Sequence, residues 1–140
     1  MKNCKFCYQS STPEGVHAKI EDIIIILDHL QQAGVFEIAI GGGEPTSHPE
    51  FARIIDEIHS RGIIPNFTTF TNTWLSDEKI IKACSKVGGI GVSCNSVKSL
   101  ELVKQIKNSV VSYDGPNVMA QHVFGSVPLS YTIDVIKECA

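Results

Sequence analysis

Four short apolar runs, each followed by a helical pattern, recur along this chain at a nearly constant interval. Their starts at positions 35, 63, 89 and 117 are 28, 26 and 28 residues apart, the length of one strand, one helix and two short loops. The first run, Val35-Phe36-Glu37-Ile38-Ala39-Ile40, is stopped by Gly41 and reads as a buried parallel strand. Further strands are predicted over Ile63 to Phe70, Gly89 to Cys94 and Asn117 to Phe124. Helices are predicted from His17 to Ala33, from Pro49 to Arg61 and from Asp77 to Val87 with Ser76 as N-cap. Two more run from Val97 to Val110 and from Leu129 to Glu138. Ile20, Ile23, Ile24, Leu27 and Leu30 give the first of these helices one apolar face, and Phe51, Ile54, Ile55 and Ile58 do so for the second. Such alternation predicts an α/β fold with a parallel sheet and right-handed crossovers. Spacing alone leaves two architectures open, a barrel and an open doubly wound sheet.

The chain has 140 residues, enough for one domain with a real core, and residues 1–140 are read as that domain. It is 43% hydrophobic and 19% charged, the balance of an ordinary globular protein rather than a disordered one. The longest unbroken apolar stretch, Ile23 to Leu27, falls far short of the roughly 20 residues a membrane span needs. No membrane association is expected, and a cytoplasmic location is the default. A net charge of −3 without a basic run gives no electrostatic support for nucleic-acid binding. The 5 cysteines fall at positions 4, 7, 84, 94 and 139, an odd number without the spacing of a disulfide framework. Reduced thiols are the expectation.

In either α/β architecture, ligands collect at the carboxyl ends of the strands. The motifs fall there. Gly41-Gly42-Gly43-Glu44-Pro45-Thr46 follows the first visible strand, Thr69 to Thr73 the second, Ser93-Cys94-Asn95 the third and Gln121 to Ser126 the fourth. Glycines at a strand end let a ligand approach the backbone closely, but by themselves they read first as a tight turn. The run fits neither phosphate-loop pattern: no lysine follows it, and Thr46 stands where the third glycine of G-x-G-x-x-G belongs. Cys4 and Cys7 form a CxxC pair, which alone is compatible with a soft metal, a redox disulfide or a turn.

Taken together, Cys4-Lys5-Phe6-Cys7 and Gly42-Gly43-Glu44-Pro45 resemble the radical S-adenosylmethionine (radical SAM) superfamily. The pair matches the second half of CxxxCxxC with an aromatic residue before the last cysteine, and the pattern's first cysteine would stand directly before Met1. The run Gly42 to Pro45 looks like the GGEP motif, which in the family meets the amino group of the methionine moiety. The resemblance implies a partial (β/α)6 TIM-like barrel lacking its first strand and expected to lack its last. It implies a 4Fe-4S cluster with Cys4 and Cys7 among its ligands, and S-adenosyl-L-methionine on the open iron. By the same resemblance Phe6 lies near the adenine, and Gly42, Gly43, Glu44 and Pro45 contact the cofactor. Ser93 and Asn95 stand where the family places contacts to the ribose or carboxylate, although strand-end Ser and Asn are equally turn formers. Thr69, Thr71 and Asn72 share that ambiguity, and Gln121 and His122 either border the adenine or face solvent. The implied enzyme cleaves the cofactor reductively to a 5′-deoxyadenosyl radical that abstracts hydrogen from a small-molecule or peptide substrate. An electron donor such as flavodoxin or ferredoxin is the implied partner.

An inactive fragment or degenerate relative is the alternative. A zinc or redox role for the CxxC pair is less favoured, since no second pair follows and only three residues precede Cys4. Cys84 is expected in a helix core. Cys94, at a strand end, is read as a buried small hydrophobe before a substitute metal ligand.

Overall fold

The computed structural model describes residues 12, 14–110 and 115–139. Alternation is strict: α1 (Ile20–Gln32), β1 (Glu37–Ile40), α2 (Phe51–Ser60), β2 (Ile64–Thr69), α3 (Glu78–Ala83), β3 (Gly89–Ser93), α4 (Val97–Val110), β4 (Asn117–Gln121) and α5 (Leu129–Cys139). Single 3₁₀ turns at Pro45–Ser47, Thr73–Ser76 and Cys84–Lys86 complete the connections. All three strand pairings are parallel, with Ile40 beside Phe67, Phe67 beside Ile90 and Ile90 beside Val118.

Strand order decides between the two architectures. The sheet runs β1-β2-β3-β4 without reversal. Right-handed crossovers between strands added always on the same side place every helix on one face, as in a barrel wall. A doubly wound sheet would reverse its order at a switch point. Four of the six strands of the implied barrel are present among the described residues.

The helix-covered face forms the core. Phe67 of β2 and Ile90 and Val92 of β3 pack against Phe51 and Ile55 of α2, Ile80 of α3 and Ile106 of α4, with Trp74 at the margin. Phe67 touches Phe51 and Trp74 edge to face, with ring centroids 5.1 and 5.8 Å apart. Ile20 and Leu27 of α1 form a second cluster with Ile54 and Ile58 of α2 and Ile63. Arg61 ties these two helices at their ends, its Nε 2.8 Å from Asp28 Oδ1 and its Nη1 2.8 Å from Glu57 Oε2. Hydrogen bonds to Glu57 and then Asp28 raise the guanidinium further above its ordinary pKa.

Several boundaries differ from the sequence reading for local reasons. α1 starts at Ile20 rather than His17 because Lys19 is extended, at φ −71° and ψ 143°. Asp77, not Ser76, caps α3: its carboxylate accepts from Lys79 N at 2.9 Å. The Ser76 hydroxyl instead donates back to Thr73 O. β4 ends at Gln121, three residues before Phe124, because His122 leaves the ladder to bond Cys94 O and Thr132.

Cys84 lies in the main core as expected, and burial pushes its thiol up to about 12. The folded state therefore holds this proton where the unfolded chain, titrating near 9, releases it. The stabilising contribution is complete below pH 9 and fades as pH rises toward 12. At pH 8, native protein is expected to leave Cys84 unlabelled by a water-soluble maleimide, with labelling following global unfolding in urea. Fast labelling without unfolding, located by mass spectrometry, would contradict the assigned burial. Cys94 is also fully buried, packed with Leu100 of α4 and Val135 of α5.

Candidate cofactor site

The loop after β1 is built around Glu44. This carboxylate is buried and collects donors from two strand ends. Thr46 donates from its backbone N at 3.3 Å and its hydroxyl at 2.6 Å, both to Oε1. From the end of β2, the Thr69 hydroxyl donates to the carboxylate from 3.0 Å of both oxygens, and Phe70 N donates to Oε2 at 3.0 Å. Charged acceptors make strong hydrogen bonds inside a protein, so this set fixes the loop on β2. Pro45 follows as the buried first residue of the 3₁₀ turn, and the Ser47 hydroxyl closes that turn on Glu44 O at 2.6 Å.

With the Glu44 side chain turned inward, the loop presents backbone. Gly41 and Gly42 are exposed and Gly43 is half-buried. Gly42 has φ +134°, a region L side chains rarely adopt, and nothing lies within 4 Å of where its β carbon would be. Space is therefore open for a ligand against these peptide groups. Beside the loop lies a cavity of about 690 Å³ whose apolar wall includes Leu27 of α1, Ile38 and Ile40 of β1 and Phe51 of α2. Its border also includes Thr12, Gly15 and His17, on the segment leading from the cysteine pair into α1. His17 packs edge to face on His48, with centroids 5.0 Å apart. His48 accepts from Glu50 N on Nδ1, so its Nε2–H donates to Ala18 O at 2.9 Å. This pins the entry of α1 to the loop after β1.

The other predicted residues gather at the same end of the sheet, in a second group. Ser93 ends β3 half-buried, and its hydroxyl has no partner among the described residues. Asn95 follows it and accepts from Ser126 Oγ at 3.4 Å. His122 Nδ1 lies 2.6 Å from Cys94 O and so carries the proton, which leaves Nε2 to accept from the buried Thr132 hydroxyl at 2.9 Å. This network joins the ends of β3 and β4 to α5. Thr71 serves the loop after β2, where its carbonyl accepts from Trp74 Nε1 at 3.0 Å, while Asn72 Nδ2 reaches Gln105 of α4. Cys4, Phe6 and Cys7 lie outside the described residues. Among the described residues no group of His, Cys, Asp and Glu is arranged to hold a metal, and no helix is long and apolar enough to cross a membrane.

The sequence reading assigned Glu44 to the cofactor and did not find its partners. Thr69 stood among the ambiguous strand-end residues, and Phe70 N and Thr132 were not singled out. A backbone donor leaves no mark in the sequence. A Thr ending the strand next to a GGEP loop is the one signal that was available.

The family model for the radical SAM superfamily matches residues 1–122. The chain belongs to the radical SAM superfamily. No curated protein matches this radical SAM chain significantly. Among solved structures it is similar to Streptococcus suis SuiB in its crystal structure bound to S-adenosylmethionine, with a TM-score of 0.75 at 19% identity. The alignment covers 98% of this radical SAM chain and 34% of SuiB, so it spans about a third of that protein's length. At this identity the likeness shows the fold, a partial barrel of the radical SAM type.

Proposed function

We propose that the protein is a radical SAM enzyme whose cofactor lies at the carboxyl ends of β1 to β4. One observation carries the reading: the cavity beside Gly41 to Gly43 is bordered by Thr12 and His17. Thr12 is five residues after Cys7, and five residues reach at most about 18 Å. On this reading the motif thiolates and the glycine loop serve one cofactor.

The donor set suits the group. Cysteine thiolates are the usual ligands of iron-sulfur clusters, and Cys4 and Cys7 would supply two of them. When bound, the 4Fe-4S cluster would supply one electron to S-adenosyl-L-methionine, giving methionine and a 5′-deoxyadenosyl radical. The chain's own part is positioning. Gly42 and Gly43 offer peptide groups unobstructed by side chains to the methionine end of the cofactor. Glu44 holds them there through Thr46, Thr69 and Phe70, and Pro45 fixes the turn. Ser93 and Asn95 extend the polar rim toward the nucleoside, and Phe6 is assigned to the adenine. An external one-electron donor of the flavodoxin or ferredoxin kind is the partner, and the working location is the cytoplasm.

Anaerobic reconstitution of the whole protein with iron and sulfide, followed by a reductant and S-adenosylmethionine, is expected to yield 5′-deoxyadenosine. Cys7→Ser is expected to lower both bound iron and product to background. A whole protein that stays iron-free after reconstitution and forms no 5′-deoxyadenosine would overturn the assignment.

A further inference from the structure

The face of the sheet opposite the helices carries a second polar arrangement. Ile90 and Val92 point into the core, so the alternate residues of β3, Gly89 and Gly91, belong to the other face. Side chains from both neighbouring strands lie across these glycines. A β carbon at Gly91 would stand 2.4 Å from Gln121 Cδ, and one at Gly89 would stand 3.1 Å from Asn66 Oδ1. Glycine here makes room for two amide side chains.

Asn66 Nδ2 donates to Glu37 Oε1 at 2.7 Å and to Ile38 O at 3.5 Å, which occupies its hydrogens. Its Oδ1 keeps acceptor capacity, with no donor among the described residues. Gln121 is oriented oppositely. The Thr68 hydroxyl donates to its Oε1 at 3.1 Å, leaving the Nε2 hydrogens with no acceptor among the described residues.

One open acceptor and one open donor therefore share a face. Gln121 pairs with Ser93, but its amide folds back over Gly91 while Asn66 Oδ1 lies over Gly89, so the two groups sit about two residues apart along β3, roughly 6.6 Å. Two hydrogen bonds of about 2.9 Å and one planar amide between them cover that span. A carboxylate would set its charge against Asn66 Oδ1, and an ammonium would meet the Gln121 donor. An ester lacks the N–H.

We propose that this face binds an amide group of the substrate, its carbonyl accepting from Gln121 Nε2 and its N–H donating to Asn66 Oδ1. The proposal rests on the radical SAM reading for its claim that the bound group belongs to a substrate, and it adds the substrate's chemical class. Gln121 and Asn66 are specificity-determining, and Gly89 and Gly91 are the positions that admit them.

The test needs neither cluster nor S-adenosylmethionine, so its failure and that of the cofactor assignment are read separately. ¹⁵N-labelled protein is titrated with N-methylpropionamide, propionamide and methyl propionate while the side-chain amide resonances of Gln121 and Asn66 are followed. Both resonances are expected to shift with at least one amide, bound about fivefold more tightly than the ester, the worth of one hydrogen bond. Preference for the secondary amide marks a peptide bond, and preference for the primary amide marks a side-chain carboxamide. Gln121→Glu is expected to reduce amide binding to the level of the ester while the backbone spectrum is retained. Gly91→Ala is expected to do the same, because the atoms it displaces are the end of a flexible, exposed side chain. Equal binding of ester and amides, no shift with any probe, or unchanged amide binding in Gln121→Glu would overturn the proposal.

Discussion

Glu44→Ala is expected to lower the stability of the fold by about 3 kcal/mol and to weaken S-adenosylmethionine binding roughly 10- to 100-fold. The first effect follows from burial. Glu44 is 8% exposed and its carboxylate receives hydrogen bonds from Thr46 N, Thr46 Oγ1, Thr69 Oγ1 and Phe70 N. Alanine leaves those donors facing a void, and hydrogen bonds to charged acceptors are worth about 1.5 to 3 kcal/mol apiece, although members of one cluster do not add. The second effect follows from what Glu44 holds. Its bonds to the end of β2 fix the glycine loop after β1, so without them the peptide groups of Gly42 and Gly43 lose their orientation. Glu44→Gln separates the two contributions. It keeps the volume but replaces one acceptor oxygen by a donor facing Thr69 and Phe70 N, or facing Thr46, so an intermediate loss of roughly 1.5 kcal/mol is expected. Urea denaturation at a common m-value measures the first effect, and calorimetric titration with S-adenosylmethionine the second. A Glu44→Ala midpoint equal to that of the parent would show that the carboxylate does not anchor the loop.

The sheet was legible because its strands carry their own punctuation. Val35 to Ile40 ends on glycine, Ile63 follows Gly62, and Gly89 opens β3 after Gly88. The helices α2 and α4 were equally plain, the first from Phe51, Ile54, Ile55 and Ile58 and the second as a helical run from Val97 to about Val110. What spacing left undecided, barrel wall or doubly wound sheet, depends on strand order, and contacts between distant segments set that order. The site divides along the same line. The glycine loop is local, and its motif carries the family resemblance in sequence alone. Its anchoring is not local, since Glu44 and Thr69 are 25 residues apart. The Gln121 and Thr68 pair spans 53 residues and depends on Gly91 between them. The cap of α3 was misassigned between adjacent residues, Ser76 and Asp77, both good N-cap formers that only backbone geometry distinguishes.

Phe67→Ala is expected to have the largest effect of any core substitution, about 3 to 5 kcal/mol. Phe67 is 2% exposed at the centre of the sheet's covered face, in edge-to-face contact with Phe51 of α2 and with Trp74 after β2. Truncation removes both aromatic pairs and leaves a cavity that the strand backbone cannot close, since β2 is paired on both sides. For a domain of ordinary stability, about 5 to 15 kcal/mol, this is a large share of the total. The loss also reaches the cofactor end. Thr69 lies two residues further along β2 and on the same face, so its hydroxyl is held against Glu44 by the packing beneath it. Phe67→Ala and Thr69→Val are therefore expected to couple, with the double variant losing about 0.5 kcal/mol or more less than the sum of the single losses. Phe67→Leu keeps most of the volume and should stay within about 1.5 kcal/mol of the parent. Strict additivity in the double-mutant cycle would mean that the core below β2 and the carboxylate cluster above it are energetically independent. The glycine loop would then owe its geometry to Glu44 alone.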